Sequence, residues 1–163
     1  MQAKALKSIA VCLFALLSFA ATAQEPPALT RGQLVYLPVY SHVYYGSLDR
    51  KGAPSKALLS AMVSIRNTDP KRPIRVKSAR YFNTEGKLLR EIVSTPTPVP
   101  AFGTLEFFIE QHDDSGGSGA NFAIAWEADA PVNPPVIEAV HASFEGARSV
   151  LFSTTATPIR PAE

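Results

Sequence analysis

Cysteine is almost absent from this sequence. The single cysteine, Cys12, lies in an apolar N-terminal segment. The rest of the chain therefore forms no disulfide and offers no thiolate nucleophile or cysteine-ligated metal site. A blue-copper centre, which needs a cysteine ligand, is excluded as well. We expect the domain to be held together by packing alone.

Long apolar runs are also missing, except near the N-terminus. Two lysines precede an apolar run from Ile9 to Ala20, and Ala21 to Ala23 supply small residues before Gln24. This order is typical of a secretory signal peptide. The run is shorter than the roughly 20 residues that a membrane-spanning helix needs. We expect residues 1–23 to be a cleaved signal peptide, the mature protein to be periplasmic or secreted, and no stable membrane insertion after cleavage.

The predicted mature chain has no excess charge of either sign. Removing the two lysines of the signal leaves 16 − 2 = 14 basic residues against 14 acidic ones. A net charge of zero argues against nucleic-acid binding. The charges are segregated, however: residues 66–90 hold eight basic and two acidic side chains, and residues 106–145 hold eight acidic and no basic ones. This predicts oppositely charged surfaces or oppositely charged strands that pair.

Short runs with a period of two residues dominate the remaining 163 − 23 = 140 residues. Bounded by turn residues, they predict seven or eight strands and no long helix. The runs are residues 33–44, 59–65, 74–84, 87–93, 105–109, 122–126, 136–144 and 149–154. We expect one antiparallel, immunoglobulin-like β-sandwich over residues 33–157, after a flexible leader at 24–32 and before a tail at 158–163.

Several local features refine this prediction. A switch of the apolar face between Val76 and Ala79 predicts a bulge, and Asn83 to Gly86 predict a hairpin turn. Ser55 either precedes a strand or caps a short helix. The prolines predict a rigid connection at residues 96–100 and, because proline donates no hydrogen bond, an edge or bulge at Pro38.

The segment His112 to Phe122, H-D-D-S-G-G-S-G-A-N-F, combines acidic, hydroxyl and glycine residues. Its D-S-G-G part matches the nucleophile segment of trypsin-like proteases, but the chain is too short for their two barrels and His42 lies in an alternating strand. A nucleophile elbow would precede a helix, whereas a strand follows these glycines. We therefore expect no serine hydrolase and assign no catalytic residue.

Four interpretations of this loop remain. Its oxygen atoms suit calcium, although the spacing departs from the known calcium loop. A transition metal would need the histidines, which are His42, His112 and His141. Successive glycine N–H groups also suit an anion. Alternatively, these N–H groups bind the carboxylates of Asp113 or Asp114 and make a self-contained loop. We favour the last and expect no metal or cofactor.

The first strand carries an aromatic face. Tyr36, Tyr40 and Tyr44 alternate along it, with His42 between the last two. Tyrosine combines a rigid apolar ring with a polar tip, which suits recognition of a protein, a peptide or a sugar. A face covered by a neighbouring segment of the chain would show the same pattern.

Four motifs in series resemble an exported bacterial family. They are G-Q-L-V-Y-L-P-V-Y-S-H from Gly32, S-I-R-N-T from Ser64, Y-F-N-T-E-G-K from Tyr81 and D-S-G-G-S-G-A-N-F from Asp114, with Trp126 after them. Together they resemble the family called domain of unknown function 3124. The resemblance covers nearly the whole mature chain and implies export and one compact domain, but no activity.

The tyrosine face and the loop form the candidate binding surface. We expect a non-enzymatic module of the cell envelope that binds a protein, a peptide or a glycan. The alternative is a small-ligand, anion or metal-binding protein, or an enzyme, with its site on the loop. Arg66 is expected to pair with Asp113 or Asp114. The candidate residues are Arg66, Asp113, Asp114, Ser115, Gly116, Gly117, Ser118, Gly119, Asn121, Tyr36, Tyr40, His42 and Tyr44.

The exported protein is predicted to begin at Gln24, because Ala21 to Ala23 are the small residues placed directly after the apolar run. Intact-mass measurement of protein from the cell envelope checks this. A mature species that still carries Lys4 and Lys7 would disprove the signal peptide and the argument from the absence of cysteine.

Overall fold

The computed structural model describes residues 25–145 and 148–160, and within these ranges the regular secondary structure is entirely β. The predicted signal peptide lies outside the described residues. The strands are β1 Thr30–Pro38, β2 His42–Tyr45, β3 Ser55–Leu58, β4 Ser60–Arg66, β5 Ile74–Phe82, β6 Leu88–Val93, β7 Thr97–Val99, β8 Thr104–Ile109, β9 Asn121–Val132, β10 Val136–Glu145, β11 Arg148–Thr155 and β12 Thr157–Ile159. Over the described ranges, no helix has the length and apolarity to cross a membrane.

The strands form two larger sheets and one small ribbon. The six-stranded sheet has the order β12-β1-β9-β5-β6, and β7 also pairs with β5. The four-stranded sheet has the order β11-β10-β4-β8, and β2 pairs with β3 alone. Every one of these pairs is antiparallel.

The two larger sheets pack on each other and share one apolar core. Both contribute buried side chains, among them Leu37, Val76 and Ile124 from the six-stranded sheet and Val63, Ile65 and Ile137 from the four-stranded one. The rings of Phe107 on β8 and Phe122 on β9 lie 5.1 Å apart between centroids, which joins the two sheets directly. The predicted all-β, antiparallel, sandwich-like class is confirmed.

Strand β9 lies near the centre of the core. Phe122, Ile124 and Trp126 alternate along it, which predicts one buried face, and all three are buried, with Trp126 only 2% exposed. Strand β1 approaches closely, since a Cβ at Gly32 would lie 2.6 Å from the Trp126 carbonyl oxygen. Only glycine allows this approach of the two backbones.

The predicted bulge and hairpin are both present. The register of β5 against β9 shifts between Val76 and Ser78. After β5, the Asn83 N–H donates to the Lys87 carbonyl at 3.0 Å and the Gly86 N–H donates to the Asn83 carbonyl at 2.9 Å. Gly86 has a φ of 77°, which glycine adopts without strain. Local turn chemistry was sufficient to predict this hairpin.

Three short strands were not predicted. Ser55 begins β3, so the alternative of a short helix is wrong. The proline-rich connection contains β7, which pairs with β5 and tolerates Pro98 because it lies at the edge of the sheet. Strand β12 extends into the predicted tail and pairs with β1. Runs of three or four residues carry too little periodicity to be recognised from sequence.

The predicted strand at residues 33–44 is two strands. β1 ends at Pro38, and the Ser41 N–H then donates to the Gly117 carbonyl at 3.0 Å. The chain continues as β2, which pairs with β3 instead of the six-stranded sheet. The alternating pattern is therefore interrupted between Ser41 and His42, which are neighbours in sequence and are both buried.

Segregated charges meet across neighbouring strands. Arg75 on β5 lies 2.7 Å from Asp129 on β9, and Lys77 lies 3.2 Å from Glu127. The expectation that oppositely charged strands pair is thus confirmed for β5 and β9. Exposed ion pairs of this kind add little to stability, so the fold rests mainly on its core.

Replacing Trp126 with alanine is predicted to cost about 3–5 kcal/mol of unfolding free energy, since it empties a large volume in a packed core. Phe144→Ala serves as a control because Phe144 is 71% exposed, and it should cost about 0.5 kcal/mol or less. Urea unfolding measures both. Equal effects of the two variants would contradict the core assignment.

Candidate functional site

The glycine-rich loop joins β8 to β9 and is held by segments on both sides. On one side, the Ser41 N–H donates to the Gly117 carbonyl at 3.0 Å. On the other, the backbone N–H and the hydroxyl of Thr84 donate to the Gly116 carbonyl at 2.9 and 3.1 Å. The loop therefore lies between the β1–β2 link and the β5–β6 hairpin and is hydrogen-bonded to both.

The N–H groups of the loop bind partners inside the protein. Ser115 donates to the Asp113 carboxylate at 3.3 Å, and Gly119 donates to the Thr84 hydroxyl at 3.0 Å. Gly117 donates to the Asp114 carbonyl at 3.1 Å. The favoured self-contained loop agrees with these contacts only in part. The glycine N–H groups bind a carbonyl and a hydroxyl instead of the expected carboxylates, and the contact with a carboxylate comes from Ser115.

Gly116 is the point of closest approach. A Cβ at this position would overlap the Tyr81 hydroxyl and lie 2.8 Å from the Ser41 Oγ. The Tyr81 and Ser41 hydroxyls are themselves 3.1 Å apart and buried. Gly117 is needed for a different reason, because its φ of 78° favours glycine. The two adjacent glycines thus have separate structural causes.

The two carboxylates of the loop bind cations from different elements. Asp114 Oδ2 lies 2.6 Å from Lys56 Nζ on β3, and Asp113 Oδ2 lies 2.5 Å from Arg90 Nη2 on β6. The bond to Lys56 holds the pKa of Asp114 below its ordinary value. The loop therefore ties the small ribbon to the six-stranded sheet.

The predicted pairing of Arg66 with this loop is wrong. Arg66 lies 3.2 Å from Glu138 instead. In the antiparallel register of β4 and β8, Ile109 is opposite Ala61 and Arg66 is opposite Thr104. The loop follows Ile109, so Arg66 is five strand positions away, about 17 Å at 3.4 Å per residue. Strand register could not be deduced from charge segregation.

His42 is the most unusual polar group beside the loop. It is 6% exposed, and within the described residues neither ring nitrogen has a hydrogen-bond partner. Its ring contacts that of Tyr44 edge to face, with centroids 4.9 Å apart. Burial, and then the charge of Lys56, lower the pKa of His42, so the neutral ring is favoured.

His141 belongs to the protein interior. Its Nε2 accepts the Tyr40 backbone N–H at 3.1 Å, and its ring stacks on Phe152 at 4.6 Å. Burial lowers the pKa of His141 to about 4. His112 is exposed, so the three histidines have different environments. No cluster of three or more potential ligands from His, Cys, Asp and Glu occurs in the part of the chain that the structure describes.

The predicted tyrosine face is not continuous. Tyr36 lies on β1 and Tyr44 on β2, and both are exposed. Tyr40, in the link between them, packs edge to face against His141 and Phe152 with both centroid distances at 5.7 Å. The interpretation of a covered residue is correct for Tyr40. The face divides because the chain changes partners after Pro38.

An open cleft, which we did not predict, lies between the β2–β3 ribbon and the β10–β11 hairpin. Its volume is about 820 Å³, and its lining is Val43, Tyr45, Gly46, Lys56, Ala57, Ser143, Glu145, Ser149 and Val150. Two charged residues in this lining are held in place, since Lys56 binds Asp114 and Glu145 accepts the Gln111 Nε2 hydrogen bond at 2.7 Å. The register of β2 and β3 places Val43 opposite Ala57. The sequence did not predict this pairing because both strands are too short to show a clear period.

The fold and this surface define an all-β protein of two packed antiparallel sheets, with a fixed glycine-rich loop and an adjoining cleft. The chain belongs to the family described as Protein of unknown function (DUF3124), whose model matches residues 32–159. The resemblance seen in the sequence motifs is thereby confirmed. No curated protein matches the chain.

One solved structure is distantly similar. It is titled "Crystal Structure of Thermotoga maritima 1070", is 12% identical, covers 77% of this chain and 92% of its own, and has a TM-score of 0.41. A likeness at this level carries no argument about fold or function.

Asp114→Ala is predicted to loosen the loop and the β2–β3 ribbon together, because it removes the ion pair to Lys56. Amide hydrogen exchange should accelerate at residues 42–58 and 113–121, while global stability changes little, because an exposed ion pair contributes little to it. Asp129→Ala is the matched control, as it removes an exposed carboxylate paired with Arg75 elsewhere. Unchanged exchange in both segments would show that Asp114 is merely solvated.

The free energy of unfolding is predicted to decrease as the pH is lowered, because of the buried side chain of His141. Its folded pKa of about 4 lies below the ordinary 6.5, so between these values the unfolded chain binds a proton that the folded chain does not. The contribution is complete above pH about 6.5 and is lost toward pH about 4, by about 3 kcal/mol at ~1.4 kcal/mol per unit.

Urea unfolding of the wild type and His141→Gln across this pH range measures the effect. Glutamine keeps an acceptor for the Tyr40 N–H but does not titrate, so the variant should show a flatter dependence. Other titrating groups act on both proteins and cancel in the difference. Identical slopes would rule out a buried neutral His141.

Proposed function

We propose that this chain is a non-enzymatic binding module of the cell envelope, exported by the predicted signal peptide to the periplasm or the exterior. Its sandwich would be of the immunoglobulin-like kind. The ligand would be an extended peptide, a segment of a protein or a glycan. It would bind in the cleft between the β2–β3 ribbon and the β10–β11 hairpin.

The cleft is the observation that carries this proposal. Its lining combines apolar side chains with a tyrosine ring and polar groups, a composition that suits recognition sites. The Glu145 side chain is already oriented by the hydrogen bond from Gln111, which lowers the entropy lost when it binds a ligand. An open cleft accepts a chain that extends beyond it at both ends.

The glycine-rich loop would support this surface from behind. In the register of β2 and β3, Tyr44 is opposite Lys56 and Val43 is opposite Ala57. Side chains alternate between the two faces of a strand, so the ribbon presents Val43 to the cleft and His42 and Tyr44 to the other side. Asp114, bound to Lys56, would then fix the ribbon that forms one wall of the cleft.

The partners and the exposure of the polar side chains at the loop support the proposal that the module is non-enzymatic. Asp113 and Asp114 bind Arg90 and Lys56, and the Ser41 hydroxyl bonds to Tyr81 in a buried position. A nucleophile needs a base within hydrogen-bond reach and access to substrate. The Ser41 hydroxyl has no access to substrate, and the two carboxylates, although Asp114 is half exposed, are each paired with a cation.

The alternative remains a small-ligand, anion or metal-binding protein, or an enzyme. One observation favours it, which is the buried His42 ring with no described hydrogen-bond partner beside the Lys56–Asp114 pair. Such a group is expected to have a partner such as water, an ion or a ligand. The cleft volume also falls in the range of small-molecule sites, about 300–1,000 Å³.

Titration calorimetry with a library of extended peptides and with N-acetylglucosamine oligosaccharides tests the proposal. Ala57→Trp fills the cleft and should weaken binding of the active probe at least about tenfold, or ~1.4 kcal/mol. Tyr36→Ala is the matched control, since Tyr36 is exposed on β1 and does not line the cleft. It should bind normally.

Metal content of protein purified without a tag separates the two candidates. A stoichiometric metal would favour the alternative. Binding that survives Ala57→Trp but is lost in Tyr36→Ala would move the site to the face of β1. Circular dichroism of each variant confirms that the sandwich has folded.

A further inference from the structure

Exposed strand edges in this fold carry features that discourage pairing with another chain. Short length, charged side chains and proline all have this effect. Strands β7 and β12 have three residues each and contain Pro98 and Pro158. Strand β6 carries Arg90 and Glu91, and β8 carries Glu106. These edges are protected in the usual ways.

Strand β11 lacks such protection over most of its length. It is eight residues long and lies at the end of the four-stranded sheet, and among the described strands none pairs with its far side. From Ser149 to Thr155 its sequence is S-V-L-F-S-T-T, with no charge and no proline. β-branched and aromatic residues favour an extended strand here. An edge of this kind is competent for strand addition.

The side chains of β11 also present apolar surface. Leu151, on the outer face, is 66% exposed. Val150, on the other face, lines the cleft. Near its C-terminal end the strand is anchored, since the Thr154 hydroxyl donates to the Pro38 carbonyl at 2.6 Å. The unpaired stretch is therefore held extended before any partner binds.

We propose that the edge of β11 pairs with β11 of a second copy of this chain, in antiparallel register about Leu151. Leu151 would then lie beside Leu151 of the partner subunit, and Val150 beside Phe152 of the partner subunit. Residues of equal parity share a face, so apolar side chains meet apolar ones on both faces. The two four-stranded sheets become one continuous sheet of eight.

Two copies of the chain could associate through the edge of β11 or by stacking the outer faces of their four-stranded sheets, and the lack of charge on β11 favours the edge. Glu106 and Glu138 lie on the outer face of the sheet with Phe108 and Met62. Arg66 lies on the same face, 3.2 Å from Glu138, so stacking two such faces would remove several charged groups from water, which destabilises an interface. Edge pairing leaves the carboxylates of Glu106 and Glu138 in water. It also forms a two-fold symmetric interface, the kind found in most homodimers.

Edge pairing would also complete the proposed cleft. Ser149 and Val150 line it at the edge of the sheet. A strand added there brings Phe152 and Ser153 of the partner subunit alongside that wall. This consequence depends on the proposed function, whereas the pairing itself does not.

Analytical ultracentrifugation of the chain from Gln24 onward, which contains every described strand, tests the pairing. The wild type should form a dimer. Leu151→Lys places two like charges side by side and should raise the dissociation constant at least about tenfold. Phe108→Lys is the matched control, an exposed apolar residue of the same outer face on the opposite edge strand, and it should leave the dimer unchanged.

Cysteine cross-linking keeps the proposal testable if Leu151→Lys folds poorly. The chain from Gln24 has no cysteine of its own, so Leu151→Cys should form a disulfide-linked dimer on mild oxidation, and Phe108→Cys should not. A monomeric wild type would overturn the proposal. So would a dimer weakened by Phe108→Lys as much as by Leu151→Lys, or cross-linking through position 108 alone.

Discussion

One close contact, made by the backbone at Gly116, fixes the position of the glycine-rich loop. This backbone lies against the Tyr81 hydroxyl of β5 and the Ser41 hydroxyl of the β1–β2 link, so three segments distant in sequence meet where a side chain would not fit. Because the loop is seated there, Asp114 reaches Lys56 and the β2–β3 ribbon is fixed over the end of the four-stranded sheet. The ribbon that forms one wall of the proposed cleft is therefore tied to this loop.

Polar groups at the loop have a structural role because the domain has no disulfide. With the single cysteine at position 12, the link, the hairpin and the loop can be joined only by packing, hydrogen bonds and ion pairs. A single hydrogen bond contributes about 1 kcal/mol and an exposed ion pair contributes less, so several polar contacts must act together. This explains why residues that resemble a catalytic motif have structural partners in the folded chain.

Local patterns predicted those parts of the fold in which neighbours in sequence decide the conformation. Alternation identified β4, β5, β9 and β10, the face switch identified the bulge after Val76, and the turn residues identified the hairpin at Gly86. Strands of three or four residues were missed because they contain barely two periods. The expected partner of Arg66 was wrong because strand register depends on the whole sheet.

The sequence alone determined the β class, the dependence on a packed core and the family, since composition, periodicity and motifs are local properties. Only the tertiary structure decided what each candidate residue does. Tyr40 is covered and Tyr44 is exposed because the chain changes partners after Pro38, and Asp113 and Asp114 bind Arg90 and Lys56 because three loops converge. The cleft, likewise, is lined by residues from positions 43 to 150, and no local pattern specifies which distant segments come together.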